Sequence, residues 1–244
     1  MPINNFEGKT FVAFLDISGF KELMREKDKA WKALDKLYSS GYDILQSQNR
    51  PNQQVEGIFI SDCGILFVRN NQGTDIRQTN GLHLLLQVIK TINQRMLENK
   101  IMLTTSIAYG NFKYQGRIEF PGIEKSPVYG NAYISAYSDN KDEIPKIQPG
   151  QCRIVKENIP DEITTAIKQS QDNDIFSMIK EKKSGDSKHY YYYWMVNNPN
   201  EIKRFERNYK DACNLTYEGM LKALKGIACK VHPGAPIATW RSNG

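Results

Sequence analysis

Thr10-Phe11-Val12-Ala13-Phe14-Leu15-Asp16-Ile17-Ser18-Gly19-Phe20 decides how the chain begins to fold. Its first six residues form a continuous apolar and β-branched run, the pattern of a central strand buried on both faces. The run stops at Asp16, and Ile17-Ser18-Gly19-Phe20 predicts a tight turn into a long helix over 20–48. Along that segment Phe20, Leu23, Met24, Trp31, Leu34, Leu37, Tyr38, Tyr42 and Leu45 recur at helical spacing.

Working outward, Asn49-Arg50-Pro51-Asn52 breaks the helix. Residues 55–60 and 64–69 read as two short strands, with Ser61-Asp62-Cys63 at the hairpin tip. A polar loop at 70–74 leads to a second helix over 80–98, then a strand over 102–109. Residues 110–120 read as a hairpin arm, and 127–138 as a turn into a short helix. Strand signals return at 152–155 and 188–196; Tyr190, Tyr191, Tyr192 and Tyr193 suit a strand with one buried face. From Pro199 to Cys229 the pattern is helical and more charged, and the tail after His232 is expected to be loose. The order strand, helix, hairpin, helix, strand is the βαββαβ pattern of a ferredoxin-like or palm-type core. The expected fold class is therefore α+β, with a mostly antiparallel sheet and a C-terminal helical segment.

Composition narrows the function. The chain has 244 residues, 40% hydrophobic and 25% charged, which fits a globular protein and excludes global disorder. No apolar run approaches the ~20 residues of a membrane span, and the N-terminus lacks the basic-then-apolar pattern of a secretory signal. Net charge is +6, compatible with an anionic ligand such as a nucleotide. The cysteines stand singly at 63, 152, 213 and 229, far in sequence from the histidines at 83, 189 and 232. That spacing argues against structural zinc and suits a reducing cytosol.

Asp16 and Asp62 are the candidate chemistry. In a βαββ unit the hairpin pairs beside the first strand, so both carboxylates can reach one edge of the sheet. Paired carboxylates repel unless a cation lies between them, and hard divalent ions such as Mg²⁺ or Mn²⁺ take oxygen ligands together with substrate phosphates. Ile17-Ser18-Gly19-Phe20 would offer backbone N–H groups to phosphate oxygens at a helix start. The same residues also suit a plain helix N-cap, with Asp62 a turn residue.

The motifs resemble those of class III nucleotidyl cyclases. Phe14-Leu15-Asp16-Ile17-Ser18-Gly19-Phe20 resembles the family's first metal motif, and Ile60-Ser61-Asp62-Cys63 its second. Thr105-Ser106-Ile107-Ala108-Tyr109-Gly110 resembles the strand that reads V-G-I-H-x-G in the family, and Val128-Tyr129-Gly130-Asn131-Ala132 its W-G-D/N-T/A turn. The four arrive in family order across residues 8–150. The resemblance implies a catalytic domain over 1–198 and a helical extension and loose tail over 199–244. It implies a homodimer with shared active sites and two Mn²⁺ or Mg²⁺ ions per site, held by Asp16, Asp62 and the Ile17 carbonyl. The substrate would be a nucleoside triphosphate, with no stable nucleic-acid or membrane partner.

Departures point to a subgroup. The family's transition-state Asn and Arg fall on Ile134 and Ser138, its base-reading Lys on Glu56, and that residue's partner near Pro127. The arginine common before the V-G-I-H-x-G glycine falls on Thr104. Positive charge near the phosphates would have to come from Lys141 and Lys146, or from Lys113 and Arg117. Loss of the purine-reading residues with both aspartates kept resembles the bacterial antiphage (Pycsar) pyrimidine cyclases. Ser135-Ala136-Tyr137-Ser138-Asp139 and Ile144-Pro145-Lys146-Ile147 look similar to stretches of that subgroup, with Ser138, Asp139 and Lys146 as departures. The resemblance implies cyclic UMP or cyclic CMP made in a bacterial cytoplasm and sensed by a separate effector, UTP being slightly favoured. Glu56, Thr105 and Tyr129 are the candidate base-reading residues. Alternatives are an adenylate cyclase with an unusual pocket and a degenerate cyclase fold that only binds nucleotide or a partner. The G-G-D-E/D signature of oligonucleotide-signal enzymes is missing.

Overall fold

A computed structural model describes residues 4–48, 53–70, 77–120, 123–125, 127, 128–141, 144–172, 174–182, 186–213, 220–222 and 224–225. The first strand, β1 (Phe6–Ile17), is followed by α1 (Phe20–Leu23), α2 (Lys27–Gln46), the hairpin β2 (Gln53–Ile60) and β3 (Cys63–Asn70), and α3 (Gln78–Glu98). Next come β4 (Leu103–Tyr114), the two-stranded ribbon β5 (Arg117–Phe120) and β6 (Ile123–Lys125), β7 (Val128–Tyr129) and α4 (Asn131–Lys141). The chain continues through β8 (Cys152–Val155), α5 (Asp161–Gln169), β9 (Ile179–Glu181), β10 (His189–Tyr192) and α6 (Ile202–Cys213). The main sheet runs β2-β3-β1-β4-β8-β10-β9, with β7 added to β4. Every main-sheet pairing is antiparallel except β4 with β8. The mostly antiparallel α+β expectation is met.

Period-two alternation along β1 sorts its side chains onto two faces. Phe11, Ala13, Leu15 and Ile17 face a large core with Leu37 of α2, Leu85 and Ile89 of α3, and Phe205 of α6. Val12 and Phe14 face a smaller core with Phe67, Ala108 and Phe112, capped by Ala132 and Ala136 of α4. So α4 covers the face opposite α2 and α3, and Asp16, by parity, belongs to the α4 side. Ile202, Phe205 and Tyr209 of α6 join the large core.

The single helix expected over 20–48 is two helices. Glu26 is extended (φ −119°, ψ 90°) and separates α1 from α2. Between Met24 and Ala30 the sequence is Arg-Glu-Lys-Asp-Lys, with no apolar residue to anchor a continuous helix to the sheet. The arm expected over 110–120 is also redrawn: β4 continues through Gly110 to Tyr114 as the full-length partner of β1. The turn into a short helix expected over 127–138 is present, with the helix opening at Asn131 and running three residues further, to Lys141. The polar loop expected at 70–74 and the tail after His232 fall largely or wholly outside the described residues.

Gly130 turns the chain from β7 into α4. Its φ is +130°, and a Cβ there would sit 2.2 Å from the Asn111 carbonyl oxygen, a backbone atom that cannot rotate away. Its own carbonyl accepts the Ile134 N–H at 3.1 Å, opening α4. Gly130→Ala is expected to cost about 1–3 kcal/mol, seen as a lower urea midpoint with unchanged slope. An unchanged midpoint would contradict that packing.

Candidate active site

The end of β1 meets the β2–β3 turn. Asp16 pairs in register with Cys63 on one side and Thr104 on the other. The turn is closed by the Ile17 N–H donating to the Asp62 carbonyl at 3.0 Å, and Ser61 adopts φ 53° to make it. One ligand atom each from Asp16, Asp62 and Cys63 lies within 4.8 Å of the others. Both aspartates are only partly exposed.

Lys141, the last residue of α4, places Nζ 2.6 Å from Asp16 Oδ1. Burial works against its charge, but the hydrogen bond and charge of Asp16 outweigh it and hold the ammonium above the usual lysine range. The Cys63 thiol donates to Asp16 Oδ1 at 3.2 Å. Burial, then the Asp16 hydrogen bond and the charges of Asp16 and Asp62, push it far above the ordinary thiol range. Two of the three converging groups are carboxylates, the oxygen ligands that a hard divalent cation takes.

The other expected residues are spread out. Ser18 is buried, its hydroxyl has no partner among the described residues, and its N–H donates to the Met102 carbonyl at 2.9 Å. Gly19 is left-handed (φ 73°) and caps α1, which is four residues long, so Ser18, Gly19 and Phe20 lead into a single helical turn. Lys146 is exposed in the segment after α4. Lys113 is engaged elsewhere, 2.6 Å from Glu7 at the opposite end of β1.

The base-reading candidates do not gather at the aspartates within one chain. Thr105 pairs with Leu15, so parity turns it to the α2/α3 face, where it is fully buried. Glu56 shares the face of Asp16, but its carboxylate is bound by Arg69, with Nε at 2.7 Å and Nη2 at 2.8 Å. Tyr129 pairs with Lys113, itself opposite Glu7, so it lies nine residues along β1 from Asp16, about 30 Å away. Tyr129 is exposed there.

Sequence reasoning missed several polar residues around this site. Asn140 is buried; its Oδ1 accepts from Thr104 at 3.1 Å, and among the described residues its Nδ2 has no partner. Cys63 bridges the carboxylates, and Asp139, Arg153, Asp186 and His189 form a buried cluster beside α4. The signal for the cluster was an arginine inside the short apolar strand Cys152-Arg153-Ile154-Val155.

No protein-family model and no curated protein matches the chain. Solved structures do. The guanylate cyclase domain of RhGC from Catenaria anguillulae, in complex with GTP, is 15% identical, with TM-score 0.51 over 78% of this chain and 97% of that one. The guanylyl cyclase domain of the RhoGC fusion protein from Blastocladiella emersonii, crystallised as a monomeric double mutant, is 16% identical, with TM-score 0.51 over 77% and 94%. A bacterial light-regulated adenylyl cyclase is 10% identical, with TM-score 0.51 over 94% of this chain and 59% of that one. The fold is that of a class III nucleotidyl cyclase catalytic domain. No helix among the described residues is long and apolar enough to cross a membrane.

Proposed function

We propose that the chain is a nucleotidyl cyclase that converts UTP or CTP to the 3′,5′-cyclic monophosphate and pyrophosphate. The observation that carries this reading is the convergence of Asp16 and Asp62 at the end of β1 in a cyclase fold. Asp16, Asp62 and the Ile17 carbonyl would hold two Mn²⁺ or Mg²⁺ ions. Such ions would lower the proton affinity of the 3′-hydroxyl and neutralise charge building on the phosphates. The Ser18 N–H is spent on the Met102 carbonyl, so the backbone N–H groups of Gly19 and Phe20 would meet the triphosphate, and Lys141 and Lys146 would bring positive charge to it. The 3′-oxygen forms its bond to the α-phosphorus as the bond to the β-phosphate oxygen breaks. The hydroxyl proton passes to solvent and pyrophosphate leaves.

Pyrimidine preference follows from the resemblance and from what a purine would lack. Glu56 is occupied by Arg69, and no lysine stands at that place on β2. A homodimer with sites shared between subunits accounts for Tyr129, exposed far from its own aspartates and free to meet the partner's. Exposed Ile60, Ile134, Tyr137 and Ile144, on the hairpin, on α4 and just after it, supply apolar surface for that contact. The cyclic product would act through a separate effector in antiphage defence.

The test is incubation of purified protein with Mn²⁺ or Mg²⁺ and ATP, GTP, CTP or UTP separately, with products resolved by mass. Cyclic UMP or cyclic CMP, formed by a dimer in sedimentation, is the expected result. Cyclic AMP or cyclic GMP would replace the pyrimidine assignment, and no product from a folded dimer would favour a binding module.

A further inference from the structure

Beside the last turn of α4, four charged side chains are almost wholly removed from water. Arg153 is 0% exposed, His189 1%, Asp139 2% and Asp186 7%. Sheet register assembles them. Ser106 of β4 pairs with Arg153 of β8, which pairs with Tyr191 of β10, so one row of polar side chains runs across the α4 face. Asp139 of α4 comes down onto this row. Arg153 Nε lies 3.2 Å from its Oδ2 and Nη2 3.0 Å from its Oδ1. Ser106 donates to Oδ2 at 2.5 Å. Arg153 also donates to the Asp139 carbonyl at 2.6 Å and the Pro145 carbonyl at 2.5 Å, tying the end of α4 to β8.

His189 joins the two carboxylates. Its Nε2 is 2.6 Å from Asp139 Oδ1, and its Nδ1 is 2.8 Å from Asp186. Asp186 also accepts from the Tyr191 hydroxyl at 2.6 Å and the Lys188 N–H at 3.1 Å. A neutral imidazole has one donor and one acceptor nitrogen, so a carboxylate at each nitrogen is satisfied only by the imidazolium. With it the cluster is neutral, two carboxylates against guanidinium and imidazolium. Without it a buried negative charge is uncompensated. The facing groups are Asp139 from α4, Arg153 from β8, and Asp186 and Tyr191 from β10 and the segment before it. Burial opposes the proton, but the Asp139 carboxylate, close to Nε2 though not aligned as a hydrogen bond, and then Asp186, hydrogen-bonded to Nδ1, outweigh it and raise His189 above its ordinary 6.5, with Arg153 opposing.

The residues following Asp139 reach the site. Asn140 accepts from Thr104, the cross-strand partner of Asp16, and Lys141 touches Asp16 itself. Resting on the cyclase reading, we propose that doubly protonated His189 is a positioning residue: through Asp139 it holds the last turn of α4 so that Lys141 is kept at the Asp16 end of β1, and turnover is lost on the alkaline side when that proton leaves. The sign follows from linkage. A proton bound more tightly in the folded state stabilises it fully below the unfolded value near 6.5, and that contribution fades as pH rises through the folded value.

The test compares pH profiles of kcat, with the nucleotide that the product screen identifies, at temperatures where the protein stays folded. Asp186→Asn removes one facing charge and is expected to move the alkaline limb down by about one pH unit. Tyr191→Phe leaves the Asp186 carboxylate with one donor fewer, so it grips the His189 proton harder and moves the limb up by a smaller amount. A merely structural role would lower kcat in both without moving the limb, and an unmoved limb overturns the proposal. A second measurement needs no turnover: ¹⁵N NMR of the ring nitrogens of His189 and of Lys141 Nζ. The Lys141 signal is expected to shift with the His189 midpoint, and a Lys141 signal indifferent to that titration overturns the proposal. Failure of every nucleotide to react overturns the cyclase reading alone, because the NMR coupling still decides the link between His189 and Lys141.

Discussion

Asp62→Ala is expected to lower metal-dependent turnover by roughly 10³-fold or more while leaving the fold intact. The two halves of that expectation rest on different atoms. The structural work of Asp62 is done by its backbone, whose carbonyl accepts the Ile17 N–H at 3.0 Å, and alanine keeps that carbonyl. Among the described residues its carboxylate has only a distant sulfur contact, Cys63 Sγ at 3.9 Å. Removing it leaves Asp16, already neutralised by Lys141 at 2.6 Å, as the lone carboxylate, which is poorly suited to hold a divalent ion. Circular dichroism and thermal midpoint should match the wild type, and Mn²⁺ binding by calorimetry should weaken with activity. A variant that keeps more than about a tenth of wild-type turnover would remove the paired-carboxylate account. Asp16→Asn is a less clean probe, because it also strips Lys141 of its partner.

How much of this was legible in the residues depends on the range of the forces involved. The buried run Thr10–Leu15 ending at Asp16, and the hairpin turn at Ser61 and Asp62, are local patterns, and the two aspartates do come together where the strand order requires. Thr105 was chosen as a base contact by motif position, yet pairing with Leu15 turns it into the helix-side core. That outcome is fixed by register between strands about ninety residues apart, which no local pattern encodes. The break after α1 was locally visible as the charge run Arg25–Lys29, but the helical spacing of the flanking apolar residues masked it. The cluster of Asp139, Arg153, Asp186 and His189 draws on one helix, two strands and the segment before β10. Nothing local in the sequence joins the four, and only the isolated arginine of Cys152-Arg153-Ile154-Val155 hints that an acid must lie across from it. The tyrosines of β10 suggested a buried face, and Tyr191 spends its hydroxyl on Asp186 instead of apolar packing alone.

Arg153→Met should be the most destabilising of the substitutions considered, at about 3–5 kcal/mol, because it breaks a buried ion pair from one side. Methionine restores much of the volume, so cavity formation is a minor part of that cost. What remains is two carboxylates, Asp139 and Asp186, facing a single imidazolium, and two carbonyls, of Asp139 and Pro145, without their donor. For a chain of this size the thermal midpoint should fall on the order of 10 °C. Adding Asp139→Leu to Arg153→Met removes the orphaned acid as well and should recover part of the loss. The two single changes are then expected to be non-additive by at least ~1 kcal/mol in a double-mutant cycle. Strict additivity would mean that the pair contributes nothing as a pair. The rescue also separates stability from chemistry. The double variant regains its fold through apolar contact but has no carboxylate on α4 for His189 to hold. Its thermal midpoint should recover further than its turnover, since Lys141 depends on where the last turn of α4 sits and not on how well the core is filled.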